Sequence, residues 1–143
     1  MKRLPLCWYN RRAVQWALFA GLMAFVALLL CWKAPYGYGA VDEPFYLTIA
    51  QRLSQGDALL RDEWNLSQLA CALLYPVYRL YMALVGTTDG ILLAFRYLFV
   101  AFKLAVTAGL WLLLRDRYGL GAPCACAIYA LYTPYNILQL NYN

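Results

Sequence analysis

Residues 13–32 read AVQWALFAGLMAFVALLLCW, an apolar run without a single charge. As a helix rising about 1.5 Å per residue it reaches ~30 Å, the thickness of a bilayer's hydrocarbon core. Three more apolar runs follow at 66–85, 91–114 and 120–140, parted by polar breaks at 33–65, at 86–90 (GTTDG) and at 115–119 (RDRYG). A spanning strand needs only ~9–11 residues of alternating character, and these runs are about twice that length without alternation. The pattern therefore predicts an all-α polytopic membrane protein: one membrane domain over 1–143 with about four transmembrane helices and no internal repeat.

The long break at 33–65 carries a different periodicity. Glu43-Pro44 followed by Phe45, Ile49 and Leu53 at spacing four predicts a short amphipathic juxtamembrane helix, with proline in its first turn and Gly56 as its stop. Its apolar stripe is expected to lie on the bilayer surface.

Composition agrees with this class: 64% hydrophobic, 17% aromatic and 13% charged, with a mean hydropathy of +0.54. The net charge of +5 does not describe a nucleic-acid patch, because Lys2, Arg3, Arg11 and Arg12 flank the first run and the other basic residues are scattered. Such a flank is retained in the cytoplasm, which puts the N-terminus inside and 33–65 outside, with the chain expected to be integral to a membrane. A cleaved signal peptide is the rival reading, but the run exceeds the usual ~7–15 residues and more apolar runs follow it. Strict alternation then places 86–90 inside and Arg115, Asp116 and Arg117 outside, against the positive-inside trend. Trp8, Trp16, Trp32, Tyr36, Tyr38 and Trp64, near the run ends, suit interfacial belts.

The chain has no histidine, which removes Ser-His and Cys-His nucleophilic catalysis and any histidine-ligated metal. Cys7, Cys31, Cys71, Cys124 and Cys126 fit neither a redox Cys-x-x-Cys nor a zinc knuckle, and read as small apolar residues. No cofactor is expected, with metal dependence left open. Carboxylates remain, and five of the seven acids (Asp42, Glu43, Asp57, Asp62 and Glu63) fall in the first loop beside Arg52 and Arg61. Asp42 and Glu43 stand about ten residues past the first run. They suit two roles: an N-cap favoured by the helix dipole, or a carboxylate at the water–lipid boundary that takes a proton from a substrate hydroxyl.

Arg79 and Arg96 lie near run ends, where long side chains snorkel to the headgroups. Lys103 is at the middle of the 91–114 run, where an isolated charge costs about 2.5–3.5 kcal/mol, so it must face protein or a watery cavity. Arg96 and Lys103, seven residues apart and nearly on one helical face, could together meet a phosphate. The alternative is a buried polar contact to a tyrosine or a backbone oxygen.

The run DEPFYLTIAQRLSQGDALL at 42–60, then LLYPVYRLYMALVG at 73–86, TTDGILLAFRYLFV at 87–100 and LLLRDRYGLGAPCACAIYALYTP at 112–134, resembles the amino-terminal part of the GT-C membrane glycosyltransferases. The branch is that of the protein O-mannosyltransferases and the transferase that places aminoarabinose on lipid A. The resemblance covers about residues 13–135. It implies that Asp42 activates or orients the acceptor, that Glu43 is the second acid of an Asp-Glu form, and that Tyr46, Arg52, Gly56 and Asp57 are framework. Arg96 matches the arginine that opens the next span. The implied partners are membrane lipid and a polyprenyl-phosphate-linked sugar donor, and no nucleic acid, with Arg96 and Lys103 as candidate donor-phosphate contacts.

Two departures stand out. Some relatives carry a lysine near the second span that meets the donor phosphate, whereas 64–69 here reads WNLSQL. Family enzymes also have several hundred residues and about nine or more spans, so the chain is expected to be an amino-terminal fragment, inactive alone. The alternative expectation is a small non-catalytic four-helix membrane protein that works by helix association through Ala105, Ala108 and Gly109.

Overall fold

The computed structural model describes residues 12–36, 42–62, 64 and 68–133; for Asp42 and residues 68–70 it describes the backbone alone. Every element among them is helical: α1 (Arg12–Lys33), α2 (Asp42–Gln55), α3 (Gln68–Val85), α4 (Ile91–Tyr118) and α5 (Gly121–Leu131). Trp8, Tyr38, Cys7 and Glu63, named above, lie outside the described residues.

The described residues divide into two compact units, one of 12–33 with 100–133 and one within 34–99. In the first, Phe19 of α1, Trp111 of α4, and Ala122 and Cys126 of α5 form the core. The Phe19 and Trp111 rings stack with centroids 4.7 Å apart, and Trp16 meets Trp111 edge-on at 5.5 Å. The Arg115 guanidinium lies 5.6 Å from the Trp16 ring, and Arg12 approaches Asp116 at 3.9 Å. The start of α1 is thus beside the end of α4, and the two helices run antiparallel. Strict alternation expected these two ends on opposite faces of a membrane, and the structure sets them side by side.

In the second unit Tyr46, Leu47, Ile49 and Ala50 of α2 pack on Cys71, Leu74 and Tyr78 of α3 and on Ile91 and Phe95 of α4, with Phe45 and Leu53 at the margin. The predicted apolar stripe is present, but protein covers it rather than the bilayer surface. The helix ends as expected at Gly56, whose φ is +108°. Gly56 N–H donates to the Leu53 carbonyl at 3.3 Å and Asp57 N–H to the Arg52 carbonyl at 3.1 Å, the paired bonds of a Schellman cap. The following loop is stitched by side chains. Arg52 donates to Asp57 at 2.6 Å and to the Asp62 carbonyl at 3.0 Å, while Asp62 accepts from Ala58 N–H at 2.8 Å and from Arg61 at 2.9 Å. The predicted turn at 86–90 is closed by the Tyr81 hydroxyl donating to the Asp89 carbonyl at 2.5 Å, between Gly86 and Gly90, both at positive φ.

One helix end differs from the expected run. The RDRYG break is the last turn of α4, because arginines suit a helix C-terminus, and the helix stops only at Gly119, with φ +54°. α5 ends at Leu131, where Tyr132 is extended and the proline at 134 disfavours helix in the residue before it; residues 134–140 of the expected run lie outside the described residues.

Polarity is distributed inside out. Gln15, Glu43, Arg96, Lys103 and Thr107 are buried, while Leu28, Leu73, Leu84, Leu113 and Ile128 are each more than 70% exposed. Water would penalise that arrangement and a bilayer would not. Trp16 and Trp32, exposed near opposite ends of α1, are separated by sixteen residues, about 24 Å of helix, which fits aromatic anchors at the two interfaces.

Candidate functional site

Glu43 and Arg96, 53 positions apart, meet in a buried ion pair. Glu43 lies in the first turn of α2, where the proline after it presets helical φ and the helix dipole favours a carboxylate. Arg96 lies in the second turn of α4. Its Nη2 donates to Glu43 Oε2 and its Nη1 to the Ala34 carbonyl at 2.7 Å. The two side chains are only 2% and 6% exposed. One guanidinium therefore ties together the first turn of α2, the segment just after α1 and the start of α4. Arg96 turns inward rather than snorkelling, and Glu43 is engaged by it rather than facing solvent.

Asp42 opens α2, one residue before this pair; its side chain lies outside what the structure describes. Tyr46, matched to the family framework, is buried one turn further along α2. Arg52, Gly56 and Asp57 are together in the C-terminal cap and loop. Arg61 pushes the Asp62 carboxyl below its usual range through their hydrogen bond, helped by the Ala58 N–H, and Asp62 raises Arg61 in turn. These loop charges are solvent-facing and serve each other.

Lys103 belongs to the other unit. Its ammonium donates to the Tyr132 carbonyl and lies 5.9 Å from the centre of the Tyr129 ring, and Thr107 Oγ1 donates to its backbone oxygen at 2.7 Å. A backbone oxygen and a tyrosine face were the alternative to a phosphate contact, and both are present. Arg79 is exposed, its Nη1 donating to the Tyr75 hydroxyl at 3.3 Å.

The pairing of Glu43 with Arg96 was not anticipated from the sequence, although a signal existed. A buried charge needs an opposite partner, and Glu43 is an acid beside a helix start that must pack. No cluster of three or more metal-ligating side chains occurs among the described residues.

Together these features define an all-helical protein with two helices, α1 and α4, long and apolar enough to cross a membrane. No family model, curated protein or solved structure matches the chain.

Proposed function

We propose that the chain is the amino-terminal membrane region of a glycosyltransferase that moves a sugar from a polyprenyl-phosphate donor to an acceptor on the extracytoplasmic face. The carrying observation is the contact between Glu43 and Arg96. The resemblance singled out these two residues separately, as the second acid of the loop and the arginine of the next span, and they hold each other. In this reading Asp42 is the catalytic carboxylate that orients the acceptor hydroxyl or takes its proton. Glu43 and Arg96 are positioning residues that fix the first turn of α2, and so the backbone of Asp42, on α4. Lys103, a buried cation in α4, is the candidate donor-phosphate contact.

The test is transfer from a labelled polyprenyl-phosphate sugar in membranes carrying the whole protein. Asp42→Asn is expected to abolish turnover at unchanged protein level, and normal turnover would reduce Asp42 to a helix-start residue. Lys103→Met is expected to weaken donor binding more than insertion; unchanged donor affinity removes Lys103 from the site.

A second reading rests on Ala105, Ala108 and Gly109, which are exposed, with open space where a Gly109 side chain would stand. Such small positions let a neighbouring helix approach closely. Association lost on Gly109→Leu with transfer intact would favour it.

A further inference from the structure

We infer that α2 and α3 form a monotopic pair on one face of the membrane, and that the outward stripe of α3 is seated in the lipid leaflet instead of crossing it. The inference rests on the membrane reading of α1 and α4 and not on the proposed chemistry.

Parity carries the argument. Arg12 lies at Asp116 and Phe19 at Trp111, so α1 and α4 run in opposite directions. Independently, Ala34, the first residue after α1, gives its carbonyl to Arg96 in the second turn of α4. The chain therefore leaves α1 and enters α4 on the same side, and the segment between them crosses an even number of times. Among the described residues it holds two helices, α2 and α3. α2 has 14 residues, about 21 Å, and carries Asp42, Glu43 and Arg52; it is too short and too polar to span. With α2 excluded, α3 cannot be a lone crossing, and the even number is zero.

The surface of α3 suits a leaflet. Its inner face, Cys71, Leu74 and Tyr78, is buried against α2 and the start of α4. On the other side Leu73, Leu80 and Leu84 are 78%, 60% and 77% exposed, an apolar stripe three turns long that water alone would not favour. Arg79 is the one charged residue of α3, exposed beside the stripe where a long side chain reaches headgroup phosphate. The same topology returns Arg115 and Arg117 to the side of Arg12, which removes the conflict with the positive-inside trend. By that trend the shared face of α2 and α3 is extracytoplasmic, and the 86–90 turn is there too.

Single cysteines at Trp64, Thr87 and Tyr118, all exposed, in a chain whose five native cysteines are replaced by alanine, test this in sealed vesicles with an impermeant maleimide. Trp64→Cys and Thr87→Cys are expected to label from one side and Tyr118→Cys from the other. Thr87→Cys labelling from the side opposite Trp64→Cys, with Tyr118→Cys sharing the Trp64 side, would mean that α3 crosses and would overturn the inference. A fluorophore on Leu80→Cys is expected to be quenched several-fold more by acyl-chain nitroxide lipid than by aqueous iodide. The reverse order would leave α3 on the membrane face but remove the lipid from its stripe, which also defeats the proposal.

Discussion

The losses from removing the two members of the buried pair singly should not add when both are removed. With side chains 2% and 6% exposed, Glu43 and Arg96 fall in the regime where deleting one partner costs about 3–5 kcal/mol, because the remaining charge stays buried. Glu43→Gln belongs near the lower end: the amide oxygen still accepts a hydrogen bond, and Arg96 keeps the Ala34 carbonyl at 2.7 Å. Arg96→Met belongs near the upper end, since it strips the guanidinium from both Glu43 and Ala34 while preserving volume. In Glu43→Gln/Arg96→Met neither charge remains, and buried pairs replaced by neutral groups of similar size are often tolerated. The double variant is therefore expected to be more stable than Arg96→Met alone, which requires a coupling energy above about 3 kcal/mol, over a hundredfold in the folding equilibrium. The assay is unfolding of the purified chain in mixed micelles with rising dodecyl sulfate, followed by tryptophan fluorescence. Single-variant losses that add within ~0.5 kcal/mol would show that the pair does not hold α2 on α4.

Gly90→Ala places a β-carbon 3.5 Å from the Tyr81 hydroxyl at a φ of +73°, and the same titration should record a loss of about 1 kcal/mol. Tyr81→Phe removes the bond to the Asp89 carbonyl and should cost ~1 kcal/mol, with faster amide exchange at 86–90. Trp111→Ala vacates the stack with Phe19 and should cost about 3–5 kcal/mol while leaving labelling at Thr87→Cys unchanged. The folded Asp62 carboxyl titrates below its ordinary 3.8, so what it contributes to the loop is complete above that value and fades as pH falls through the lower folded value. Exchange at the Ala58 amide should accelerate over that acid window, and in Asp62→Asn it should be fast already at neutral pH.

Local signals in the sequence were strong. The length and polarity of 13–32 predict α1 almost to the residue, Pro44 and Gly56 bracket α2, and GTTDG marks the turn before α4. The misreadings share one cause, that an apolar run does not say what covers it. The stripe of α2 was assigned to lipid but is covered by α3, and the run at 66–85 packs one face on α2 and on the start of α4. Polarity also misled at RDRYG, because charges that resemble a loop equally well finish a helix. Of the candidate site, Asp42, Glu43, Arg96 and Lys103 were legible as residue types in suggestive places. Their partners were not, since a separation of 53 positions leaves no periodic trace.

Under the proposed transferase function, the buried pair also narrows which group does the chemistry. A general base cycles between charged and neutral forms on every turnover, and that suits a side chain whose surroundings tolerate both. Glu43 does not meet the condition: it is buried against Arg96, and a proton taken from a substrate would give up the contact that anchors α2. Substrate access makes the same point, because a carboxylate 2% exposed has no room for an acceptor hydroxyl without displacing its arginine. Asp42 is the adjacent acid, at the very start of the helix that this pair secures, so on the proposed reading Asp42 and Glu43 have different work. The kinetics should separate them. Asp42→Asn should abolish kcat in membranes where the protein is fully folded. Glu43→Gln should lower the amount of folded protein and the kcat of what remains, with partial recovery on adding Arg96→Met. A Glu43→Gln enzyme as dead as Asp42→Asn, yet as stable as the parent chain, would assign the chemistry to Glu43 and refute this division.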